Sequence, residues 1–262
     1  VLRAIRRQLP AEQVLYLADQ AHVPYGPRSL AQVRSFSEAI TRFLLSLGAK
    51  LIVVACNTAS AAALHELRGA FPAIPFVGME PAVKPAVEQT RSGVVGVLAT
   101  PATFQGRLYA SVVERFGSGA IVLQDTCPGL VGRIEAGELQ AAETREILEQ
   151  ALQPMLAQGI DTVVLGCTHY PFVIPLIQEI VGPGVRVIDP APAIARQVER
   201  LLAQHELRRT PGGPAGETAL PNAVRFFTSG DPQALAARLP ALIEESGPVH
   251  RVRWENDRLR LD

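Results

Sequence analysis

The sequence lacks the features that are typical of nucleic-acid-binding, membrane and secreted proteins. Its 262 residues carry 25 basic and 25 acidic side chains, so no net charge attracts nucleic acid or an anionic membrane. No apolar run approaches the ~20 residues that a membrane helix needs. The first ten residues mix arginine with apolar residues and contain no apolar core of a signal peptide. The sequence therefore predicts a cytoplasmic protein that binds neither nucleic acid nor membrane.

Cysteine is scarce, and the three that occur are Cys56, Cys127 and Cys167. An odd, sparse count does not suggest a disulfide framework, and without CxxC spacing a structural zinc site is not expected. Neither glycine-rich phosphate motif, GxGxxG or GxxxxGK[ST], follows a predicted strand. With 48% apolar residues the chain is long enough to form the core of one or two domains.

What the sequence does contain is a repeated segment that ends in a cysteine. The segments LIVVACNT and TVVLGCTH each read as a buried strand, preceded by Gly48 or Gly159 and ending in Cys56 or Cys167. The two glycines are 111 positions apart, and so are the two cysteines. A repeated offset of this kind is typical of duplicated architecture. Two thiols are therefore expected at equivalent places in two similar halves.

Predicted strands and helices alternate along the chain, which is typical of α/β proteins with a parallel sheet between helices. We expect two similar parallel-sheet domains, related by pseudo-two-fold symmetry, with the active site in the cleft between them. The first domain is predicted to comprise residues 1–82 and 192–262 and to carry Cys56. The second is predicted to comprise residues 83–191 and to carry Cys167.

Comparison of the two halves predicts that the first lacks one element. The second half opens with a strand at 93–99, whereas the first opens with a helix, so the equivalent strand and the loop leaving it are expected before Val1. Such loops gather at the carboxyl edge of a parallel sheet, where ligands bind, so that segment is expected to hold site residues. Near the other end, residues 205–222 are predicted to form a surface loop and 249–254 an edge strand.

Thiols at two strand ends can act as nucleophiles, metal ligands, redox groups or general bases. Each precedes a predicted helix, whose N-terminal dipole is expected to lower the thiol pKa. Asn57 and Thr58 follow one cysteine, and Thr168 and His169 follow the other, with groups that can bind a carboxylate or an amine. To invert a carbon that carries hydrogen, one base removes the proton from one face and an acid returns a proton to the other. Two like groups on opposite sides of a cleft suit that reaction.

Five segments resemble, in their order along the chain, signature segments of the glutamate racemase family. They are residues 19–26 (ending His-Val-Pro-Tyr-Gly), the two cysteine segments, residues 78–82 (Gly-Met-Glu-Pro-Ala) and residues 134–138 (Ile-Glu-Ala-Gly-Glu). The resemblance covers essentially the whole chain. It implies a racemase without cofactor or metal that interconverts L- and D-glutamate and supplies D-glutamate for peptidoglycan. It also implies that the chain can form a homodimer.

Carried over position by position, the resemblance assigns proton transfer to Cys56 and Cys167, assisted by Glu135 and His169. It assigns the substrate contacts to the following residues: Tyr25, Gly26, Asn57, Thr58, Thr103, Thr168 and His169. Members of the family open with a strand that ends in Asp-Ser-Gly-Val-Gly-Gly, and its Asp and Ser are a catalytic helper and a substrate contact. Because this opening is not in the sequence, the resemblance also predicts weak catalysis by the chain as it stands.

Other interpretations of these residues remain open. Cys127 has no partner at the repeated offset and is predicted to be a core residue. Glu135 is equally well explained as a solvated helix residue. The competing functions are an aspartate racemase of the same superfamily, a glutamate-binding or regulatory protein with impaired catalysis, and a thiol redox protein.

Overall fold

The structure, a computed structural model, describes residues 1–116, 119–209 and 224–262. Most of the predicted surface loop at 205–222 lies outside these residues. The helices are α1 (Leu2–Gln8), α2 (Leu30–Ser46), α3 (Asn57–Ala70), α4 (Val83–Gln89), α5 (Pro101–Phe104), α6 (Arg107–Phe116), α7 (Leu130–Ala136), α8 (Ala142–Ala157), α9 (Ile174–Val181), α10 (Ala191–Gln204) and α11 (Pro232–Ile243). The strands are β1 (Val14–Ala18), β2 (Ile52–Val53), β3 (Phe76–Val77), β4 (Val94–Ala99), β5 (Ile121–Asp125), β6 (Thr162–Gly166), β7 (Arg186–Ile188), β8 (Val224–Thr228), β9 (Val249–Glu255) and β10 (Arg258–Leu261). Within the described ranges, no helix is both long enough and apolar enough to span a bilayer.

The strands form three sheets, and most of their pairings are parallel. The order β5-β4-β6-β7 is parallel throughout, and β2 pairs in parallel with β3. In the third sheet, β1-β8-β9-β10, strand β8 returns from late in the chain to pair in parallel with β1. The predicted α/β class with parallel sheets is confirmed. The division into domains at residues 82 and 192 stays a prediction.

The strand β6 is buried on both faces, and this burial fixes where it ends. Val163 and Leu165 pack into a core with α7, α8 and α9, whereas Val164 packs on the opposite face with residues of β4, α4 and α6. Each such side chain contributes about 1.5–3 kcal/mol when it leaves water. A slip of one residue would exchange the two faces. The register is therefore strongly specified, and Cys167 must lie at the carboxyl edge of the sheet.

The two glycines of the repeat have the same conformational role. Gly48 follows α2 with φ +87°, and Gly159 follows α8 with φ +81°. Positive φ is strained for residues with a Cβ, so glycine is favoured where a helix ends in this way. At its other end, α2 begins with a capping box between Ser29 and Gln32. Both cysteine strands are thus preceded by a helix that ends in the same manner.

In four places the structure differs from what the sequence pattern indicates. The sequence of residues 100–116 is typical of one helix, with a proline at an early position, but that helix is interrupted near Gly106, where a Cβ would lie 2.6 Å from the Cβ of Ala61 on α3. The helix α4 was not predicted; its Pro85 lies in the first turn, where a missing N–H costs little. The helix after Cys56 was expected to begin at Ser60, but α3 begins three residues earlier, at Asn57. Finally, β9 is not an edge strand, because the hairpin through Asn256 adds β10 beside it.

Candidate active site

The two cysteines of the repeat meet at a single cavity. Cys56 is the N-cap of α3, and its sulfur accepts a hydrogen bond from the backbone N–H of Ala59 at 3.4 Å. Cys167 directly follows β6 and is 8% exposed. Both residues line a cavity of about 1580 Å³ that runs along β1 and β2 and reaches the loops after β4, β5 and β6. One thiol from each half of the chain therefore faces the same space.

Nearly all the other predicted site residues line this cavity as well. They are Tyr25, Gly26, Asn57, Thr58, Glu135, Thr168 and His169. Thr103 does not line it: the side chain is buried, and its hydroxyl lies 3.0 Å from the hydroxyl of Thr100. Thr100, which lines the cavity, was not predicted. Its position directly after a buried parallel strand is the signal that could have identified it.

Hydroxyl contacts join the two halves beside the cysteines. The Thr58 hydroxyl lies 2.8 Å from the Thr100 hydroxyl, and the Thr168 hydroxyl donates to the carbonyl of Ala55 at 3.2 Å. Gly26 also approaches Thr100, where a Cβ on the glycine would lie 3.5 Å from the threonine Cβ. These contacts hold Gly26 and the residues on both sides of Cys56 against Thr100 and Thr168 of the other half.

His169 links Cys167 to a carboxylate. Its Nδ1 lies 3.7 Å from the Cys167 sulfur, and its Nε2 lies 2.6 Å from Oε1 of Glu135. Burial opposes charge on the imidazole, but the hydrogen bonds and charges of Cys167 and Glu135 raise the pKa of His169 to about 10. The hydrogen bond from His169 lowers the pKa of Glu135, against the effect of burial. At neutral pH the pair is therefore an imidazolium and a carboxylate, with both ring nitrogens available as donors.

The helix N-terminus acts on the pKa of Cys56 in the predicted direction, but the predicted net lowering is wrong. Burial raises the pKa of this thiol to about 11, and it outweighs the opposing hydrogen bonds from the Ala59 N–H and from Thr58. Negative charge on Cys167 raises the Cys56 pKa as well. Loss of the proton from one thiol therefore disfavours loss from the other, so a state with two thiolates is disfavoured.

Asn57 has a buried carboxamide that makes no hydrogen bond with the described residues. The residue is 3% exposed, and neither Oδ1 nor Nδ2 has a partner. Buried polar groups are nearly always paired, because an unpaired group costs about 1–3 kcal/mol. Asn57 lies at the first position of α3 and lines the cavity, so a polar ligand there could supply both partners.

Sequence reasoning also missed Asp19, which lies at the end of β1. Its carboxylate accepts a hydrogen bond from the Tyr25 hydroxyl at 2.7 Å. Burial is the main reason why the pKa of Tyr25 is raised, and the charge and hydrogen bond of Asp19 add to it. The phenol therefore stays protonated. The acidic residue six positions before Tyr25 was the available signal, but two of its other partners, Ser229 and Trp254, lie more than 200 positions away along the chain.

Comparison with known proteins agrees with this arrangement. Residues 1–198 match the family model of Asp/Glu/hydantoin racemases, which defines the class of enzyme as a racemase, a kind of isomerase. The glutamate racemase of Ectopseudomonas mendocina is 52% identical over 250 residues, which cover 95% of this chain and 92% of that relative.

Two solved structures extend the likeness to the fold. A glutamate racemase isoform from Bacillus anthracis has a TM-score of 0.84 at 31% identity, over 98% of this chain and 93% of its own. The Escherichia coli glutamate racemase, in complex with L-glutamate and the activator UDP-MurNAc-ala, has a TM-score of 0.81 at 30% identity, over 100% and 93%. The chain therefore belongs to the glutamate racemases of the Asp/Glu/hydantoin racemase family.

Proposed function

We propose that this chain interconverts L- and D-glutamate by proton transfer between Cys56 and Cys167, without a cofactor. The observation that supports it most is that both cysteines, one from each half, line one cavity. Glutamate is supported as the substrate by the relatives, one of which is an Escherichia coli enzyme in complex with L-glutamate. Inversion needs a base and an acid of similar chemistry on opposite faces of one carbon.

The reaction consists of two proton transfers at one carbon. The thiolate of one cysteine takes the proton from Cα, and the electron pair that remains is delocalised into the α-carboxylate. The thiol of the other cysteine then gives its proton to the opposite face of Cα. The product is the other enantiomer, and the two cysteines have exchanged protonation states. The mechanism needs one thiol to keep its proton, and charge on Cys167 favours the protonated form of Cys56.

Polar groups around the cavity suit an amino acid with two carboxylates. The Asn57 carboxamide offers an acceptor oxygen and a donor NH₂ group, neither of which has a partner among the described residues. Thr58 and Thr168, which also line the cavity, carry hydroxyl groups. The first turn of α3 presents the positive end of a fourteen-residue helix, which favours a carboxylate. These groups are proposed to fix Cα between the two sulfurs.

His169 is proposed to assist Cys167. As an imidazolium it places a positive charge 3.7 Å from the sulfur, and Glu135 keeps that charge in place through the other ring nitrogen. A neighbouring cation stabilises a thiolate, and that stabilisation lowers the barrier for proton abstraction by Cys167. Cys56 has no such partner among the described residues, so the two thiols are expected to differ in reactivity.

The physiological proposal follows from the reaction. D-glutamate made in this way would supply peptidoglycan synthesis. A thiol mechanism needs reduced cysteines, and all three cysteines are free here, which supports the prediction of a cytoplasmic location. The homodimer stays a prediction, which light scattering of the purified protein can test.

Single replacements test the mechanism. Cys56→Ser and Cys167→Ser should each lower kcat by about 10²–10⁴-fold, the usual loss when a general acid or base is replaced by a poor one. Cys127→Ser is the matched control, because Cys127 also lies beside the cavity but is a buried core thiol with no role in the proposed transfer. Activity is followed by circular dichroism from both enantiomers, and exchange of the α-hydrogen is followed by mass spectrometry in D₂O.

Each outcome separates one function from another. Full activity of Cys56→Ser would refute the two-thiol mechanism. Binding of glutamate without α-hydrogen exchange in the wild type would indicate a binding protein. Faster racemisation of aspartate than of glutamate would indicate an aspartate racemase. A reversible Cys56–Cys167 disulfide that is required for activity would indicate a redox protein.

A further inference from the structure

The loop that joins β1 to α2, residues 19–29, lies beside Cys56. Tyr25 of this loop lines the cavity together with the cysteine, and both pack against one small group of buried residues: Val33, Ala59 and Ala62. Burial is the main cause that raises the pKa of Tyr25, and after Asp19 the negative charge of Cys56 adds to it, which agrees with a phenol and a sulfur that are neighbours. The position of the loop therefore influences how much water reaches the Cys56 sulfur.

The start of this loop is attached to the residues at the end of β8. The Ser229 hydroxyl donates to Oδ1 of Asp19 at 2.7 Å and accepts from the backbone N–H of Ala21 at 3.0 Å. Beside it, the Thr228 hydroxyl donates to Oε1 of Gln20 at 2.8 Å. Ser229 thus contacts the loop through its main chain and through a side chain at the same time.

Trp254 of β9 makes a second attachment to the same loop. Its Nε1–H donates to Oδ1 of Asp19 at 2.8 Å. Its ring meets His22 edge-on at 4.8 Å between centroids and Phe36 of α2 at 5.5 Å. His22 in turn stacks on Phe36 at 3.8 Å. The indole therefore holds the loop against α2 by a hydrogen bond and by ring contacts.

One carboxylate connects these attachments to Tyr25. Ser229 and Trp254 donate to Oδ1 of Asp19, whereas the Tyr25 hydroxyl donates to Oδ2 at 2.7 Å. Asp19 is only 7% exposed, so its donors replace the water that it loses, and removal of a donor is costly. A change at either donor of the C-terminal segment should therefore loosen Tyr25 at the other end of the carboxylate.

We propose that Ser229 and Trp254 are positioning residues that hold the loop of residues 19–29 closed over Cys56, so that water reaches this thiol mainly when their hydrogen bonds to Asp19 break. Both lie beyond residue 198, where the match to the family model ends. Shielding from water favours the neutral thiol, which is the form that donates a proton to Cα. The inference rests on the proposed function only for that role of Cys56, since the attachment of the loop does not depend on it.

Alkylation of Cys56 by iodoacetamide, followed by mass spectrometry, tests the proposal. Trp254→Phe keeps an aromatic ring but removes the Nε1–H donor, and Ser229→Ala removes the hydroxyl. Each variant should raise the rate of Cys56 alkylation at pH 8 about three- to tenfold, the factor that follows from the loss of one hydrogen bond. The pH at which that rate reaches half its maximum should also fall.

Two controls separate local opening from general loosening. Ser46→Ala is the matched variant, since that hydroxyl donates only to the Phe43 carbonyl at the end of α2, and it should leave the rate unchanged. Cys127 is the internal control, because it is 2% exposed in the core beside α7 and α8. Its alkylation should stay as slow in both loop variants as in the wild type.

Hydrogen exchange of the indole N–H measures the same opening at the other end of the network. Trp254 is the single tryptophan, so its Nε1–H gives one ¹H–¹⁵N resonance, and exchange with solvent requires that its bond to Asp19 breaks. If the loop opens as one unit, Ser229→Ala should speed this exchange by the same three- to tenfold factor as the alkylation of Cys56.

The results distinguish failure of this proposal from failure of the proposed function. Wild-type alkylation of Cys56 in both Trp254→Phe and Ser229→Ala would overturn the proposal, and so would an equal rise at Cys56 and Cys127. Faster alkylation in Ser229→Ala with unchanged indole exchange would overturn the opening of the loop as one unit. Absence of glutamate racemisation in the wild type would refute the proposed function instead, and the alkylation rates would still decide whether the loop shields Cys56.

Discussion

Replacement of Glu135 by Gln tests how the protein keeps His169 charged. In the folded chain, hydrogen bonds to Cys167 and Glu135 overcome the effect of burial and raise the His169 pKa from 6.5 to about 10. The contact with Glu135 is 2.6 Å long. Glutamine keeps the size and an acceptor oxygen but removes the negative charge. The variant therefore isolates the electrostatic part of the interaction.

The size of the effect can be worked out from the structure. A rise from 6.5 to about 10 corresponds to about 5 kcal/mol, at about 1.36 kcal/mol for each pKa unit. Glu135 supplies only part of this, and its side chain is 35% exposed, so solvent screens its charge. We therefore expect Glu135→Gln to lower the His169 pKa by about one to two units.

The pH dependence of kcat measures this shift. In the wild type, activity should fall at high pH as His169 loses its proton, and the variant should show the same fall about one to two pH units lower. A ¹H–¹³C titration of the histidine rings, with His169→Asn for assignment, should give the same displacement. Glu149→Gln, which removes an exposed carboxylate near Arg145, is the control. If Glu135→Gln and the wild type lose activity at the same alkaline pH and show the same His169 pKa, Glu135 does not contribute to the raised pKa of His169.

The same pair gives stability a defined pH dependence. The pKa of His169 is raised, so its contribution is complete below about 6.5 and is lost as pH rises through about 10. The pKa of Glu135 is lowered, so its contribution is present above 4.5 and is lost as pH falls below that value. Urea unfolding should therefore show the largest loss of stability in Glu135→Gln near pH 5.5, and little loss near pH 10.

Three further predictions concern other residues of the site. Asn57→Ala should raise KM for glutamate about tenfold or more while the melting temperature stays equal or rises, because an unpaired buried polar group is removed. Gly166→Ala should lower the free energy of unfolding by about 1–3 kcal/mol, because the new Cβ would lie 2.7 Å from the Cβ of Ala99. At pH 8, iodoacetamide should modify Cys56 about two orders of magnitude more slowly than a free cysteine, because the Cys56 pKa is about 11, and mass spectrometry can follow the reaction.

Each of these expectations has a contrary result. Unchanged KM in Asn57→Ala would show that the carboxamide does not contact the substrate. Wild-type stability in Gly166→Ala would show that β4 and β6 can separate at their carboxyl ends without cost. Rapid alkylation of Cys56 at pH 8 would show that the thiol is far more acidic than its burial implies.

The sequence determined those features that depend on neighbours along the chain. Helix α2 has its capping box and Gly48, and β6 has a run of residues buried on both faces, so each could be predicted from local pattern. Cys56 and Cys167 lie at the same distance along the chain from Gly48 and Gly159, and this repeat predicted a thiol at each of two equivalent strand ends. The loops that leave parallel strands lie at the carboxyl edge of their own sheet, so each thiol was expected at such an edge. Because the two cysteines follow strands of different sheets, the shared cavity was predictable only from the symmetry expected between the two halves.

The hydrogen-bond partners and pKa values of the site residues depend on tertiary contacts. The partners of Asp19 include Ser229, 210 positions away, and Trp254, 235 positions away, and no local pattern reveals such pairs. The high pKa of Cys56 depends on burial by the folded chain, and the effect of burial on the pKa is larger than the opposite effect of the helix N-terminus. Hydrogen bonds and desolvation act between groups that are close in space. Helix ends and strand periodicity can therefore be read along the chain, whereas the charge and orientation of the site residues are fixed only when distant segments pack together.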